Sequence, residues 1–203
     1  MEERIRLKRK INDNLEIQAE MIYNEMIKNN FKNCKNSSLE STCVIKTGKL
    51  NSEAAVPDGK YPFFTCSQET YRTNTFSFDQ EAVLLAGNNA SAIYPLKLFL
   101  GKFDAYQRTY VITSKSKLVS NKQIYFILKQ KLNEFKGVSS GTATKFLTMK
   151  ILNPIPVFIM PEKVAEIFIE IMDRIFNIMY QNKNEMEYLT ELQGDLLATI
   201  AKY

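Results

Sequence analysis

Two short segments of the sequence carry amide and guanidinium side chains, which can read the edges of nucleic-acid bases. One is Asn88-Asn89, which follows a short apolar run, and the other is Gln107-Arg108. Asparagine and glutamine form paired hydrogen bonds with adenine, and arginine binds guanine or phosphate. Both segments therefore predict contacts to DNA bases, and the alternative for Asn88-Asn89 is an ordinary turn.

The pentapeptide at residues 106–110 has a second unusual property, its mixture of aromatic and polar groups. If it is a strand, Tyr106, Arg108 and Tyr110 share one face, because side chains alternate along a strand. We expect this polar and aromatic face to contact a ligand; the alternative is an exposed strand face whose alternate residues point inward.

A hydroxyl-rich loop at residues 139–145 is the third candidate for binding. Its backbone amides together with Thr142, Thr144 and Lys145 suit a phosphate group. The spacing is not that of a Walker loop. A plain helix N-cap explains the same residues equally well.

Enzyme chemistry is poorly supported by the residue types. The chain has no histidine, which removes the commonest general base and metal ligand. Asp58 and Glu134, the latter followed two residues later by Lys136, leave a metal-dependent nuclease as an alternative. Asn153-Pro154 lacks the neighbours of an adenine-methyltransferase loop. We therefore expect a non-catalytic chain without cofactor or metal.

The charge is unevenly distributed along the chain. The net charge is +5 overall, but residues 1–30 are neutral, residues 31–160 carry +9 and residues 161–203 carry −4. A basic middle segment is typical of proteins that bind the phosphate backbone. A solvated lysine-rich surface is the alternative.

Three predicted parts of the chain position these residues: a first helix, a mixed α/β domain and a last helix. Apolar spacing predicts a helix over residues 2–28, a polar linker over residues 33–38 and a long helix from Pro161 to about Ala201. The middle is rich in strand patterns and holds one helix over residues 121–135. The fold class is therefore α+β, with one globular mixed α/β domain flanked by an N-terminal helix and a long C-terminal helix that forms a coiled coil.

The long helix carries a seam of apolar residues at intervals of three and four, which predicts a coiled coil. Asn182 and Glu185 interrupt this seam, as polar residues do where they fix register or partner. The partner is the first helix or a second copy of the chain. A break into two helices near residues 182–184 is the alternative.

Three cysteines, an odd number without a C-x-x-C pair, favour free thiols in a reducing compartment. No stretch reaches the roughly 18 apolar residues of a membrane span, and no signal peptide is recognisable. We therefore expect a soluble cytoplasmic protein that does not bind membranes.

The order of these features resembles the specificity subunit of type I restriction-modification systems. The resemblance covers nearly the whole chain and rests on landmarks that are individually weak but occur in the family's order. In sequence they are residues 11–20, 44–50, Tyr61-Pro62-Phe63-Phe64, Leu85-Ala86-Gly87-Asn88, Tyr106-Gln107-Arg108, Ser140-Gly141-Thr142-Ala143-Thr144-Lys145, 154–161 and 188–200.

The resemblance implies a half-length specificity subunit. Residues 1–30 would be the N-terminal conserved helix, residues 31–160 one target-recognition domain, and residues 161–203 the conserved spacer and dimerisation helix. The domain would read one half of a bipartite site in double-stranded DNA. The helices would pair with a second copy or another half-subunit and bind the methyltransferase subunits, and a separate motor subunit would cleave.

Chemistry and landmark position together assign residues to these roles. Bases would be contacted by Asn88, Asn89, Gln107 and Arg108. The DNA backbone would be contacted by Lys46, Thr47, Lys49, Arg72, Lys102, Thr142, Thr144 and Lys145. Dimerisation would use Leu15, Ile22, Ile167, Ile171, Ile178, Leu189, Leu192 and Leu196.

Three other interpretations stay open. The chain could be a silent donor cassette, or the C-terminal half of a full specificity subunit. It could be the nuclease that uses Asp58 and Glu134. It could also be a coiled-coil adaptor whose basic middle binds RNA or an acidic protein.

Overall fold

A computed structural model describes residues 1–89, 92–138 and 145–200. The chain divides into two compact units. One consists of residues 31–161 and is here called the sheet unit. The other consists of residues 1–30 and 162–203 and is called the helical unit. Thr142 and Thr144 lie outside the described residues.

Six strands of the described residues form one sheet with the order β2-β8-β5-β7-β3-β4. Most neighbours are antiparallel, and only β3 and β7 run parallel. The strands are β2 (Cys43–Thr47), β3 (Tyr61–Phe64), β4 (Thr70–Thr73), β5 (Phe78–Ala86), β7 (Leu96–Ala105) and β8 (Thr109–Ser114). The predicted short apolar strand is therefore the end of the nine-residue β5.

The sheet is strongly curled around β5. Phe103 of β7 pairs with Phe78 at one end of β5, and Thr109 of β8 pairs with Ala86 at the other end. An extended strand spans about 26 Å from Phe78 to Ala86, but the chain from Phe103 to Thr109 reaches at most about 21 Å. Gly101 in β7 has a φ of +131°, a conformation that favours glycine and helps the strand bend.

The core of the sheet unit includes a cluster of buried side chains from four strands, and one helix packs against the same sheet. Phe103 is fully buried and contacts Phe64 edge to face, with ring centroids 5.6 Å apart. Helix α3 (Asn121–Val138) packs against β5 and β7. Its Lys122 forms an ion pair of 2.5 Å with Glu81 of β5. The predicted helix over residues 121–135 is thus confirmed.

Three smaller elements complete the sheet unit. Strand β6 (Asn88–Asn89) pairs with β9 (Lys145–Phe146), and β1 (Lys35–Ser38) pairs with β10 (Pro156–Ile159). The prediction of a polar linker over residues 33–38 was wrong. These residues have little strand propensity of their own, but Lys35 to Ser38 pair with Ile159 to Pro156 from the other end of the unit. Short helices α2 (Leu39–Thr42) and α4 (Met149–Leu152) lie beside them in sequence.

The helical unit pairs α1 (Glu2–Asn30) with α5 (Glu162–Ile200). Helix α5 is unbroken, as expected, and at about 1.5 Å per residue it is about 58 Å long. Aromatic packing between Tyr23 and Phe168 holds one end of the pair, with ring centroids 6.0 Å apart. The first and last helices are therefore partners of each other.

A polar layer lies in the middle of this helix pair. The side chain of Asn182, which is only 8 % exposed, donates to Asn12 Oδ1 at 2.8 Å and accepts from Lys8 Nζ at 2.8 Å. Lys8 also pairs with Glu185 at 2.6 Å, and Arg4 contacts the same carboxylate. These bonds lower the pKa of Glu185, mainly through the hydrogen bond from Lys8. Asn182 and Glu185, which interrupt the predicted seam of α5, thus pair with residues of α1.

The contact face of α5 differs from the predicted seam by one residue in its first half. Phe168, Met172 and Phe176 are buried, whereas Ile167 and Ile178 are 54 % and 47 % exposed. This follows from the 3.6-residue period, since neighbouring stripes of apolar residues on one helix both satisfy a three-and-four spacing. Of the other residues assigned to dimerisation, Leu192 and Leu196 are exposed, while Leu15, Ile22, Ile171 and Leu189 are half-buried.

Cys34, Cys43 and Cys66 are free thiols, as their spacing predicted. Burial raises the pKa of the Cys43 thiol to about 11, which makes it unreactive at neutral pH. Among the described residues, no helix is long and apolar enough to cross a membrane.

Candidate nucleic-acid interface

The turn that joins β7 to β8 presents Gln107 and Arg108 to solvent. Thr109 N donates to Tyr106 O at 2.8 Å, which closes a four-residue turn with both side chains exposed at its tip. The prediction that Tyr106, Arg108 and Tyr110 share a strand face was therefore wrong. The sheet curls at this point, so the chain reverses where an extended strand was expected, and the turn exposes Gln107 as well as Arg108.

The backbone of this turn is fixed by hydrogen bonds with three other segments. Gly87 N donates to Arg108 O at 2.7 Å, and Gln107 N donates to Leu50 O at 3.0 Å. The thiol of Cys66 also lies 3.4 Å from Arg108 O. The turn is consequently held by three segments. Arg108 therefore has less conformational entropy to lose when it binds a ligand.

The end of β2 lies against the same turn. Gly48 N donates to Thr109 O at 3.2 Å, and a Cβ at Gly48 would lie only 1.8 Å from Ala105 O. Only glycine permits this close approach of two backbones. It places the exposed side chains of Thr47 and Lys49 next to the turn.

The short pair of β6 and β9 completes the group. Asn88 is paired with Phe146 and Asn89 with Lys145, and Leu147 N donates to Gly87 O at 2.9 Å. The Asn89 side-chain oxygen accepts from Ile93 N at 3.2 Å.

Two further contacts tie β9 to the turn. The Arg108 guanidinium carbon lies 5.2 Å from the centre of the Phe146 ring. Tyr110 donates its hydroxyl to Leu147 O at 2.8 Å, and burial raises the pKa of this tyrosine.

The structure therefore brings together seven of the residues predicted to bind DNA, although they come from four separate parts of the sequence. We call this group the turn cluster. Its members are Thr47, Lys49, Asn88, Asn89, Gln107, Arg108 and Lys145.

Three other predicted DNA-binding residues lie apart from the turn cluster. Lys46 is exposed next to Thr47 but, by strand alternation, on the other face of β2. Arg72 of β4 donates to the backbone oxygens of Gly59 at 2.5 Å and Lys60 at 3.1 Å. Lys102 pairs with Asp79 near the start of β5, whereas the turn cluster lies at its end.

Phe146 and Cys66 were not anticipated as part of this site. Their positions depend on pairings between distant segments, for which the sequence holds no local signal. Gly48 and Gly87 are different, because a glycine directly after a strand is a recognisable sign of close backbone approach.

The residues of the alternative nuclease site are both on the surface. Asp58 lies in the turn before β3, and Glu134 on α3 forms an ion pair of 2.8 Å with Lys131. Among the described residues, no group of three or more His, Cys, Asp or Glu could hold a metal ion.

Comparison with known proteins gives consistent relatives. The chain is 31 % identical over 148 residues to the Type I restriction enzyme EcoDI specificity subunit of Escherichia coli, a match that covers 73 % of this chain and 32 % of that protein. The chain thus spans about a third of this relative's length.

Two solved structures share the fold. One is the S subunit of a type-I restriction-modification system from M. genitalium, with a TM-score of 0.55 and 18 % identity over 66 % of this chain and 37 % of that one. The other is the HsdS subunit from Thermoanaerobacter tengcongensis, with a TM-score of 0.51 and 11 % identity over 93 % of this chain and 54 % of that one. The α+β architecture with flanking helices is therefore that of specificity subunits.

The sequence profile described as Type I restriction modification DNA specificity domain matches residues 31–188, which include the whole sheet unit and most of α5. This match covers well over half of the chain. Together with the relative in Escherichia coli, it establishes that the chain belongs to the type I restriction-modification DNA specificity family.

Proposed function

We propose that the sheet unit reads one half of a bipartite site in double-stranded DNA, and that the turn cluster makes the base contacts. The observation that carries the proposal is the convergence of amide, guanidinium and ammonium side chains from four chain segments on one turn. The positive charge of residues 31–160 supports it, because long-range attraction to phosphates speeds association with DNA.

Each side-chain type in the turn cluster has a distinct role in this proposal. The amides of Asn88, Asn89 and Gln107 suit adenine, and Arg108 suits guanine in the major groove. Lys49 and Lys145 suit phosphates, which set the orientation of the protein without reading sequence. Lys46 on the opposite face of β2 is a further candidate for a backbone contact.

Phe146 prepares Arg108 for base contact. A guanidinium over an aromatic ring is stabilised by about 0.5–1 kcal/mol at an exposed site, and it keeps its hydrogen-bond donors at its edge. Because the Arg108 backbone is also fixed, little side-chain entropy remains to be lost on binding. We therefore expect Arg108 to contribute to sequence preference more than to total affinity.

The helical unit supplies assembly in this proposal. Ile167, Ile178, Leu192 and Leu196 are exposed on α5, and exposed apolar residues along one helix mark a contact surface. A second copy would cover this stripe and present two sheet units in inverted orientation. The dimer would then recruit methyltransferase subunits, which carry out methyl transfer, and its site would be an interrupted palindrome.

The decisive experiment is a map of adenine methylation in cells that carry the partner methyltransferase subunit, with and without this chain. A new bipartite palindromic motif is expected. A bipartite but asymmetric motif would mean that this chain pairs with a different half. If no motif appears although both proteins are produced, the proposal is wrong.

The role of the turn cluster is tested by Arg108→Ala in a selection from randomised duplexes. Sequence preference at one position should be lost while binding to an average duplex is nearly retained. Arg174→Ala is the matched control, because Arg174 is exposed on α5 and pairs only with the neighbouring Glu170 among the described residues. An equal loss of affinity on all sequences would make Arg108 a phosphate contact instead.

Dimerisation is tested by lysine at apolar positions of α5. Ile171→Lys with Ile178→Lys should give a folded monomer that no longer supports methylation. Ile167→Lys with Ile178→Lys is sharper, since both side chains are exposed and the contact with α1 is left intact. Val44→Lys, on an exposed residue of β2, is the control. A double variant that sediments as a dimer would show that the interface is elsewhere.

A further inference from the structure

A second group of basic and aromatic side chains lies on the sheet unit. Lys60 Nζ is 5.4 Å from the centre of the Tyr61 ring, and Lys102 Nζ is 4.8 Å from the centre of the Phe76 ring. The two rings contact each other, with centroids 4.9 Å apart. We call these four residues the lysine–aromatic row.

The row is on the surface. Phe76 is 43 % exposed, both lysines are exposed and Tyr61 is half-buried. A phenylalanine exposed to this extent contributes little to the core. Its ring instead contacts Tyr61 on one side and lies under the Lys102 ammonium group, so its clearest role is to hold that group in place.

The backbone of Lys60 is fixed as well. Its N–H donates to Asn74 Oδ1 at 3.3 Å, and its carbonyl accepts from the Arg72 guanidinium. The preceding residue, Gly59, is packed so closely that a Cβ would lie 2.5 Å from Thr73 N. Arg72 therefore supports the loop that carries Lys60, while its contact with the DNA backbone stays a prediction.

The charges of both lysines are available to an external anion. Asp79 is opposite Lys102 in the strand register, and Asp58 lies two residues before Lys60. Even so, within residues 1–89, 92–138 and 145–200 neither lysine forms an ion pair. The rings hold the ammonium groups without neutralising them.

We propose that the lysine–aromatic row is a second DNA contact, which binds backbone phosphates of the duplex beyond the bases read by the turn cluster. This inference rests on the proposed function. Two lysines held in place bind phosphate with less loss of side-chain entropy than two mobile ones. An unpaired base would need an open ring face on which to stack, and the Lys60 and Lys102 ammonium groups each occupy one.

The position of the row sets the distance between the two contacts. Lys102 pairs with Asp79 near the start of β5, and the turn cluster lies beyond Ala86 at its end. Even a straight strand would separate these points by no more than about 23 Å. The two contacts are therefore at most about seven base pairs apart at 3.4 Å each, which keeps the row within reach of phosphates next to the bases that the turn cluster reads.

The test measures affinity of the full chain for a non-specific duplex as a function of salt. Lys60→Ala with Lys102→Ala should reduce the magnitude of the slope of log affinity against log salt by about 1.8, because each lost phosphate contact removes about 0.9. Between about 50 and 200 mM salt, the wild type should lose about tenfold more affinity than this variant. Lys117→Ala with Lys129→Ala is the charge-matched control; Lys129 also lies over a ring, that of Tyr125 at 6.0 Å.

Phe76→Leu tests whether binding depends on where the Lys102 ammonium group is held, and not only on its charge. It keeps both ammonium groups but removes the ring under Lys102, so affinity should fall a few-fold with an unchanged slope. A slope in the Lys60 and Lys102 double variant equal to that of the control overturns the inference, and so does a loss confined to single-stranded DNA or RNA. A different result would contradict the proposed function itself: binding of the wild type to duplex DNA that does not depend on salt.

Discussion

Two groups of charged residues, one in each unit of this protein, use charge in opposite ways. In the helical unit, Arg4 and Lys8 both pair with Glu185, and Lys8 also donates to the buried Asn182, so these charges are satisfied within the chain. In the sheet unit, Arg108 and Lys102 lie over aromatic rings, and neither forms an ion pair with another described residue.

This difference separates two kinds of recognition. A polar layer inside a helix pair specifies register and partner, because only one alignment satisfies its hydrogen bonds. Cations held by rings and backbone specify an external anion, because they are positioned but not neutralised. The comparison predicts that substitutions in one unit impair folding or assembly, while substitutions at the surface of the other impair binding.

The largest effect should come from Gly48→Ala. Gly48 lies beside the turn cluster in the sheet unit, so a loss of stability there would break the rule that substitutions near this surface impair binding alone. Its Cβ would lie 1.8 Å from Ala105 O, and neither backbone can move without disturbing the sheet. We expect a loss of about 1–3 kcal/mol in the free energy of unfolding, as for other overpacked sites. Urea denaturation followed by near-UV circular dichroism measures it, and an unchanged midpoint would contradict the close approach.

The next effect concerns the polar layer. Asn12→Ala leaves the buried Asn182 amide without its partner at 2.8 Å, which should cost about 1–3 kcal/mol. Replacing both residues with leucine should recover much of this stability but permit other helix alignments. Thermal unfolding and cross-linking of the two variants measure both effects. If the double variant keeps a single alignment, the polar layer does not determine register.

A smaller effect of opposite sign is expected for Gly194→Ala in α5. Apart from its chain neighbours and the backbone of α5 itself, no atom of the described residues lies within 4 Å of the Cβ position, in contrast to Gly48. Alanine should stabilise the helix by about 0.8–1 kcal/mol. The far-UV helix signal during thermal unfolding measures this gain, and a loss of stability would indicate a contact of this helix face in solution.

The smallest effect is a dependence on pH in the helical unit. The pKa of Glu185 is lowered in the folded state, so its contribution to stability is present above its unfolded pKa and is lost as the pH falls below about 4.5. Glu185→Gln should lower the melting temperature at neutral pH and make it less sensitive to acid. Equal acid sensitivity of variant and wild type would assign the dependence to other carboxylates.

Helices and buried strands were predictable where a periodic pattern extended over many residues. Helix α5 and the region of β5 were found for this reason, and the placement of the seam erred by one residue because two apolar stripes run along the same helix. Strand β1 was missed, since Lys35 to Ser38 are polar and extended only through pairing with β10. Local propensity could not reveal a partner more than a hundred residues away.

The candidate site shows the same limit. Asn88, Gln107 and Arg108 were recognisable from the chemistry of their side chains, and their convergence follows from backbone pairings that no local pattern contains. The turn at Gln107 was taken for a strand because Tyr and Thr favour strands, while the curl of the sheet requires a reversal there. The support that Arg72 gives to the loop of Lys60 was equally hidden, because a guanidinium suits a carbonyl as well as a phosphate.

The pairing of β1 with β10 has a consequence for the order of folding. It joins residues more than a hundred positions apart, so loop closure must be overcome before these contacts are gained, and we expect the pair to form late and slowly. During synthesis α1 emerges long before α5, and its partner helix is not available until α5 has been made. Once β1 and β10 have paired, the segments that lead into the two helices start side by side. Helix association then becomes a short intramolecular search at high effective concentration, so the slow step of the whole chain should be closure of the sheet unit.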